Sequence, residues 1–151
     1  MKVHIELIDN DDEEVVIIKC KNIDEHIQKI QQYITAHASP QMNIVFYKGS
    51  DEFYFPLETV LFFETSEDEV YAHTAEDAYR VKLRLYELEA DLPSNFLRVS
   101  KSTILNVHHI YSIQRNLTAS SKVQFRNSYK EVYVSRMYYK TLKFRLQGRS
   151  E

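Results

Sequence analysis

The spacing of apolar residues along the chain changes character near residue 40. Before it, apolar and polar residues alternate over residues 2–7, and residues 15–20 are almost continuously apolar, which predicts two strands. Isoleucines at helical spacing follow, so a helix is predicted that Asn22 or Asp24 caps and that ends near His37. The first forty residues are therefore predicted to be a strand–strand–helix segment, too small to fold alone.

From Met42 onward the pattern is that of a β protein. Short stretches rich in aromatic and β-branched residues follow one another, separated by charged or polar turns. A hairpin is predicted with its turn at 48–51, followed by strands at 52–55, 60–64, 70–74, 79–82, 96–99, 110–116, 122–125 and 131–134. Helices are predicted at 83–93, closed by Pro93, and at 135–146, with Ser135 as N-cap. The fold class is mainly β with some helix (α+β), in a domain over residues 42–147 that a linker at 36–41 joins to the segment 1–40.

Length and composition agree with one domain and a small appendage. The chain has 151 residues, of which 44% are hydrophobic, enough for a sizeable core. It has no apolar run of membrane-spanning length, and its first residues turn acidic at once instead of forming a signal-peptide core, so a cytoplasmic location is expected. A single cysteine, Cys20, excludes an internal disulfide.

The net charge of −3 hides a strong asymmetry along the chain. Residues 1–95 contain 8 Lys and Arg against 20 Asp and Glu, a formal charge of −12. Residues 96–151 contain 11 Lys and Arg against 2 Asp and Glu, a formal charge of +9. Such a basic half favours a polyanion such as nucleic acid, which it would bind with release of counterions. The alternative is that the acidic half neutralises the basic half across an internal interface.

Nothing in the sequence requires catalysis. His108 and His109 are adjacent, which is not the spacing of a zinc pair, and the carboxylate clusters at 67–69 and 76–77 lie in predicted turns where solvated charge is usual. Only 2 glycines are present, and neither glycine-rich phosphate-binding motif occurs. We therefore expect no enzymatic activity, no metal site and no cofactor.

Two basic clusters are candidates for binding an anion. The stretch "RVSKS" places Arg98 and Lys101 among serine hydroxyls at the end of a predicted strand, which suits a phosphate oxygen or a base edge. On the last helix, Arg136, Lys140 and Lys143 follow at spacings that share one face. Neither a helix-turn-helix pattern nor the aromatic signature of an RNA-recognition sheet is present, so a DNA binder would have to read with loops of a β scaffold.

Three stretches resemble the LytTR family of bacterial transcription-factor DNA-binding domains. They are "FYFPLETVLFFETSEDEVYAHT", "LYELEADLPSNFLRVSKSTILNVHHIYSI" and "VYVSRMYYKTLK", which follow in order within residues 44–146. The signature F-x-R-x-x-[KR]-S-x-x-x-N runs here from Phe96 to Asn106, and V-S-R ends at Arg136. The resemblance implies an elongated, multi-stranded β fold with short helices that sends loops into the major groove and bends the duplex.

The resemblance also implies roles for individual residues. Lys101 would read bases, and a second contact would come from Arg136 or Met137; a methionine there cannot hydrogen-bond a base edge. The acidic loop 67–69 is expected to stay off the DNA. Serine and basic residues near these loops would hold phosphates. The predicted DNA-binding surface comprises Arg98, Lys101, Ser102, Lys130, Ser135, Arg136 and Lys140.

The first forty residues are too short for the receiver domain that precedes this module in many members. The chain is more similar to short stand-alone members, which are often held in check by a small membrane protein. The acidic N-terminal segment is a candidate for that contact or for homodimerisation. The hypothesis from the sequence is a sequence-specific transcriptional regulator that binds double-stranded DNA. The alternative is a protein-interaction module whose acidic half binds a regulatory partner.

Overall fold

The computed structural model describes residues 1–37 and 42–149 of the chain. Contacts divide it into two compact units, residues 1–39 and residues 40–151. Part of the predicted linker, residues 38–41, lies outside the described residues.

Among residues 1–37 of the N-terminal unit, the predicted helix is formed and the predicted strands are not. Helix α1 spans Glu25–His37, and the Asp24 carboxylate accepts a hydrogen bond from the Ile27 backbone N–H at 2.9 Å, so the predicted cap is confirmed. The strands predicted at 2–7 and 15–20 are wrong, because residues 1–24 contain no strand. The apolar side chains of this stretch, such as Leu7 at 95% exposure, have no surface to cover, and an isolated two-stranded hairpin is barely stable in water.

The described part of the second unit contains ten strands and two α-helices, which confirms a mainly β fold. The strands are β1 Phe46–Lys48, β2 Asp51–Phe53, β3 Phe62–Ser66, β4 Glu69–His73, β5 Ala78–Val81, β6 Phe96–Arg98, β7 Thr103–Asn106, β8 Ile110–Gln114, β9 Ser121–Phe125 and β10 Glu131–Val134. The helices are α2 Leu85–Asp91 and α3 Arg136–Arg149, and single 3-10 turns occupy Leu57–Thr59 and Val107–His109.

The strands form two antiparallel sheets. The seven-stranded sheet has the order β2-β1-β5-β4-β3-β7-β6, and the three-stranded sheet has the order β10-β9-β8. Strands β3 and β7 are neighbours near one edge of the large sheet, with Phe62 opposite Leu105 and Phe63 opposite Ile104. Because successive side chains of a strand point to opposite faces, these two pairs enter different cores.

One core lies on each face of the large sheet. Phe62 and Leu105 belong to a cluster that the three-stranded sheet and α3 complete, with Leu142 of α3 fully buried in it. Phe63 and Ile104 belong to a second cluster on the other face, which Leu88 of α2 completes. The large sheet is thus covered on both sides, and α3 is held against the face that also carries the small sheet.

The sequence pattern does not predict strand β7, although all four of its residues are buried. It follows the polar run 100–102, and its buried positions include the polar residues Thr103 and Asn106, so the hydrophobic pattern does not reveal it. Asn106 is fully buried, and both the nitrogen and the oxygen of its side-chain amide form hydrogen bonds. The amide donates to the carbonyl of Val60 at 3.1 Å and accepts from Asn95 at 2.9 Å and from the backbone N–H of His108 at 3.1 Å.

Candidate nucleic-acid interface

The loop at residues 99–102, between β6 and β7, is held in shape by the side chain of Arg98. Its guanidinium donates to the carbonyl of Ser100 at 2.6 Å, to the carbonyl of Lys101 at 2.5 Å and to the carboxylate of Glu89 at 2.5 Å. The Arg98 side chain is only 19% exposed. Arg98 therefore positions the loop, and its donors are turned toward protein acceptors rather than toward solvent.

The motif from Phe96 to Asn106 consequently divides into structural and exposed positions. Phe96 lies in the core under α2, Arg98 braces the loop and Asn106 is buried in its hydrogen-bond network. Lys101 and Ser102 remain exposed at the tip of the loop. The Ser102 backbone accepts a hydrogen bond from the Thr65 N–H at 2.8 Å, which fixes the loop to the end of β3. The motif thus builds a rigid support that presents one lysine.

The same loop is joined to the start of α3. The Ser135 N–H donates to the carbonyl of Val99 at 2.9 Å, and the Ser135 carbonyl accepts from the N–H groups of Tyr138 and Tyr139 at the first turn of the helix. Ser135 immediately precedes α3, as the sequence predicts for an N-cap residue. A single backbone hydrogen bond therefore connects the two elements that carry Lys101 and Arg136.

Lys101 and the start of α3 line one open depression of about 610 Å³. Three of the residues predicted from the sequence meet there, namely Lys101, Ser135 and Arg136. Its remaining lining comes from Met137 and Tyr138 of α3 and from Ala119 and Ser120 in the loop between β8 and β9. Nothing in the sequence pattern points to that loop, because only the packing of the small sheet brings it beside α3.

The outer face of α3 continues the basic surface away from the depression. Arg136, Lys140 and Lys143 are all exposed, and Lys140 lies opposite the buried Leu142 on the helix. The other side of α3 packs against the core through Tyr139, over whose ring the Arg115 guanidinium lies at 4.9 Å. The helix thus has one face for the fold and one cationic face for solvent.

The basic residues of the C-terminal half differ sharply in how they are engaged. Several contact protein acceptors, as Arg98 does with Glu89, Lys122 with Glu131 at 3.5 Å, and Arg126 with the carbonyl of His108 at 3.1 Å. Among residues 96–147, the charged groups of four exposed cations have no hydrogen bond, no ion pair and no contact with an aromatic ring such as Arg115 makes with Tyr139. They are Lys101, Arg136, Lys140 and Lys143. All four lie on the loop 99–102 or on α3, so internal neutralisation accounts for only part of the positive charge.

Lys130 differs from these four residues, although the sequence groups it with them. Its ammonium donates to the carbonyl of Asp77 at 2.6 Å and lies 3.3 Å from Nδ1 of His73. Burial lowers the pKa of Lys130, and burial together with the nearby Lys130 lowers the pKa of His73 to about 4. The ring of His73 also stacks on Phe62, with ring centroids 4.3 Å apart. Lys130 therefore ties the loop before β10 to the turn after β4.

The acidic loop at 67–69 is a tight turn between β3 and β4. Ser66 pairs with Glu69, and the two residues between them, Glu67 and Asp68, have φ of 51° and 64°. Two consecutive positive φ values define a type I′ hairpin turn. Both side chains are exposed, whereas Glu69 contacts Arg80 at 3.5 Å. Their negative charge opposes contact of this turn with phosphates.

The adjacent histidines His108 and His109 both contact Glu58. Nδ1 of His108 lies 2.8 Å from the carboxylate of Glu58, and Nε2 of His109 lies 2.5 Å from the Glu58 carbonyl. Among residues 1–37 and 42–149, no three His, Cys, Asp or Glu side chains are grouped so that they could hold a metal ion. Within those same ranges, no helix combines the length and apolar character needed to cross a membrane.

Comparison with known proteins defines the class of protein that this fold represents. The family model of the LytTr DNA-binding domain matches residues 51–147, and the chain belongs to that family. The structure resembles the solved LytTr DNA-binding domain of a Bacillus cereus protein described as a methyl-accepting/DNA response regulator. The TM-score is 0.62 and the identity 27%, and the match covers 70% of this chain and 97% of that one.

Two relatives extend the similarity to the N-terminal unit. An uncharacterised HTH-type transcriptional regulator of Staphylococcus aureus strain N315 is 28% identical over 146 residues, covering 97% of this chain and 98% of its own length. A similarly named protein of strain MRSA252 is 27% identical over the same length and coverage. Their names refer to a helix-turn-helix, whereas strands separate all three α-helices in the described part of this chain.

Proposed function

We propose that the protein is a sequence-specific transcriptional regulator that reads the major groove of DNA with the loop 99–102 and the start of α3. Membership of the LytTR family makes it a DNA-binding regulator. The observation that supports the finer proposal is the concentration of the unpaired cations Lys101, Arg136, Lys140 and Lys143 on these two adjoining elements. Cations without a protein partner are available to phosphates and to base edges.

Within this surface we assign different roles to its members. Lys101 stands at the tip of a braced loop, where a lysine can donate to the O6 and N7 atoms of guanine. Lys140 lies on the flank of α3, a position that suits a phosphate. Ser102 and Ser135 lie beside Lys101 and Arg136 and suit phosphate oxygens. We assign structural roles to Arg98, beside the loop 99–102, and to Lys130, in the loop before β10, because their donors are bound to protein acceptors.

The test is binding of purified full-length protein to a random duplex library, followed by salt titration of a selected site. Lys101→Ala should cost about 1–3 kcal/mol of discrimination at one base pair, whereas Lys140→Ala should weaken all sequences alike. The affinity of the wild type should fall steeply with rising salt concentration. If no duplex binds at low salt, the proposal fails. If Lys101→Ala weakens every sequence equally, only the assignment of base reading is wrong.

A specific observation also favours a partner role for the N-terminal unit. Val3, Ile5 and Leu7 are 84%, 90% and 95% exposed, and Val15 to Ile17 are 64–73% exposed. Extended apolar stretches without a strand partner can pair with the same stretch of another chain. We propose that this unit self-associates, so that the regulator is a homodimer.

Sedimentation of the full chain and of an Ile5→Ser, Ile17→Ser variant tests the dimer. The wild type should sediment as a dimer and the variant as a monomer with an unchanged melting temperature of the DNA-binding unit. A monomeric wild type contradicts self-association and leaves a different protein, such as a small membrane-protein regulator, as the partner to be sought.

A further inference from the structure

The side chain of Met137 occupies an unusual place on the candidate DNA surface. It is 80% exposed at the start of α3 and lines the same depression as Lys101 and Arg136. The buried side of the helix is formed by Leu142 with Tyr138, Tyr139 and Leu146 packed against the same core, so Met137 contributes nothing to that core. A large apolar side chain therefore lines the same depression as two cations of the candidate DNA surface.

An exposed apolar residue does not by itself indicate a binding site, because single exposed apolar residues are ordinary on protein surfaces. Phe144 is such a residue on the same helix, 79% exposed but outside the depression. The position of Met137 beside Lys101 and Arg136 distinguishes it from Phe144. A group that binds to both cations in the depression would therefore lie near the methionine.

The chemistry of the major groove offers one apolar group to such a side chain. Guanine, cytosine and adenine present hydrogen-bond donors and acceptors there, and thymine adds a 5-methyl group. Methionine has no strong donor or acceptor, but its flexible, polarizable thioether adapts to an apolar surface. We infer that Met137 is a specificity-determining residue that recognises a thymine through its 5-methyl group. This inference rests on the proposed function.

The helix geometry limits where that thymine lies. Met137 follows Arg136 directly, so the two side chains leave α3 about 100° apart around its axis and about 1.5 Å apart along it. Neighbouring base pairs are spaced by about 3.4 Å. The thymine should therefore lie within one or two base pairs of the position that Arg136 contacts. The expected site combines a hydrogen-bonded position with an adjacent position read by its methyl group.

The experiment removes single methyl groups from the DNA. In a duplex selected from a random library, each thymidine is replaced in turn by deoxyuridine, which keeps base pairing and lacks only the 5-methyl group. The affinity of the wild type should fall about fourfold at one or two positions, the loss expected for one buried methyl-sized group. Met137→Ala should bind the thymine duplex more weakly and show no further loss at those positions.

Two variants serve as matched controls. Met137→Leu keeps an apolar side chain of similar size, so the methyl discrimination should remain. Phe144→Ala removes an equally exposed apolar side chain from the same helix and should leave the deoxyuridine pattern of the wild type unchanged. Circular dichroism melting shows whether each variant is folded.

The outcomes separate the inference from the proposed function. If DNA binds and Met137→Ala keeps the full deoxyuridine penalty at every position, the inference is overturned while DNA reading stands. If Met137→Ala and Phe144→Ala both alter self-association and neither alters the deoxyuridine pattern, the methionine belongs to a protein contact. If no duplex is selected at low salt, the proposed function and the inference fail together.

Discussion

Replacing Arg98 by methionine separates positioning of the loop from contact with DNA. The substitution keeps much of the apolar stem and removes the hydrogen bonds to the carbonyls of Ser100 and Lys101 and to the carboxylate of Glu89. Hydrogen bonds from a charged donor are worth about 1.5–3 kcal/mol each when both partners are shielded. The pair with Glu89, whose side chain is 51% exposed, contributes less than about 1 kcal/mol.

Allowing for non-additivity, Arg98→Met should destabilise the second unit by about 2–3 kcal/mol. For a unit of this size the melting temperature should fall by about 10 °C. Amide hydrogen exchange should increase in the peptide that spans residues 96–106. The affinity for DNA should fall on all sequences by up to about tenfold, because the loop must then be ordered on binding.

The salt dependence of binding decides between the two roles. A cationic side chain that binds a DNA phosphate contributes about 0.9 to the slope of log K against log salt concentration. A residue that only positions the loop contributes nothing to this slope. Arg98→Met should therefore leave the slope unchanged, whereas Lys140→Ala should reduce it by about 0.9. Glu89→Gln is the control for the ion pair and should change stability by less than about 1 kcal/mol. A slope reduced by about 0.9 with wild-type stability for Arg98→Met would refute the positioning role.

Three further predictions concern the fold. Asn106→Ala should cost about 3 kcal/mol in urea unfolding because it leaves buried backbone groups unpaired, and a loss below about 1 kcal/mol would contradict that role. Glu67→Asn with Asp68→Gly should raise stability by about 1–2 kcal/mol, since both positions have positive φ, and any decrease would count against strain in this turn. The pKa of His73 is lowered to about 4 in the folded chain. Between about pH 6.5 and pH 4, His73 therefore binds a proton in the unfolded chain but not in the folded chain. The free energy of unfolding should fall as the pH falls through this range. After allowance for partial exposure the loss is about 2 kcal/mol, and urea unfolding at both pH values should show it in the wild type and not in His73→Phe.

The sequence predicts those parts of the fold in which local pattern and final environment agree. Strand β10 forms at the predicted residues, and α3 begins one residue after its predicted cap. Strand β7 escapes prediction because its buried polar groups find partners far away in sequence, as Asn106 does at Val60. The strands predicted at 2–7 and 15–20 fail for the opposite reason, because their local pattern finds no partner in the described structure.

The candidate site shows the same division. Charge counting and motif spacing find Lys101 and Arg136, because a basic segment stands out in a chain of the opposite net charge. The same counting groups Arg98 and Lys130 with them, because a sequence does not show which carbonyl a cation will meet. The contribution of Ala119 and Ser120 to the depression depends on tertiary packing alone.

The two cores of the second unit have a consequence for how the chain is made. Strands β1 to β7 complete the large sheet by Asn106, and α2 already covers one of its faces. The other face carries Phe62 and Leu105. It becomes covered only when β8 to β10 and Leu142 of α3 have been synthesised and have packed against it. During synthesis that face therefore stays uncovered until α3 has left the ribosome. Nascent chains are prone to aggregation while apolar surface is uncovered. A chain truncated between β7 and α3 would lack the elements that cover this face, so we expect it to aggregate more readily than the full chain.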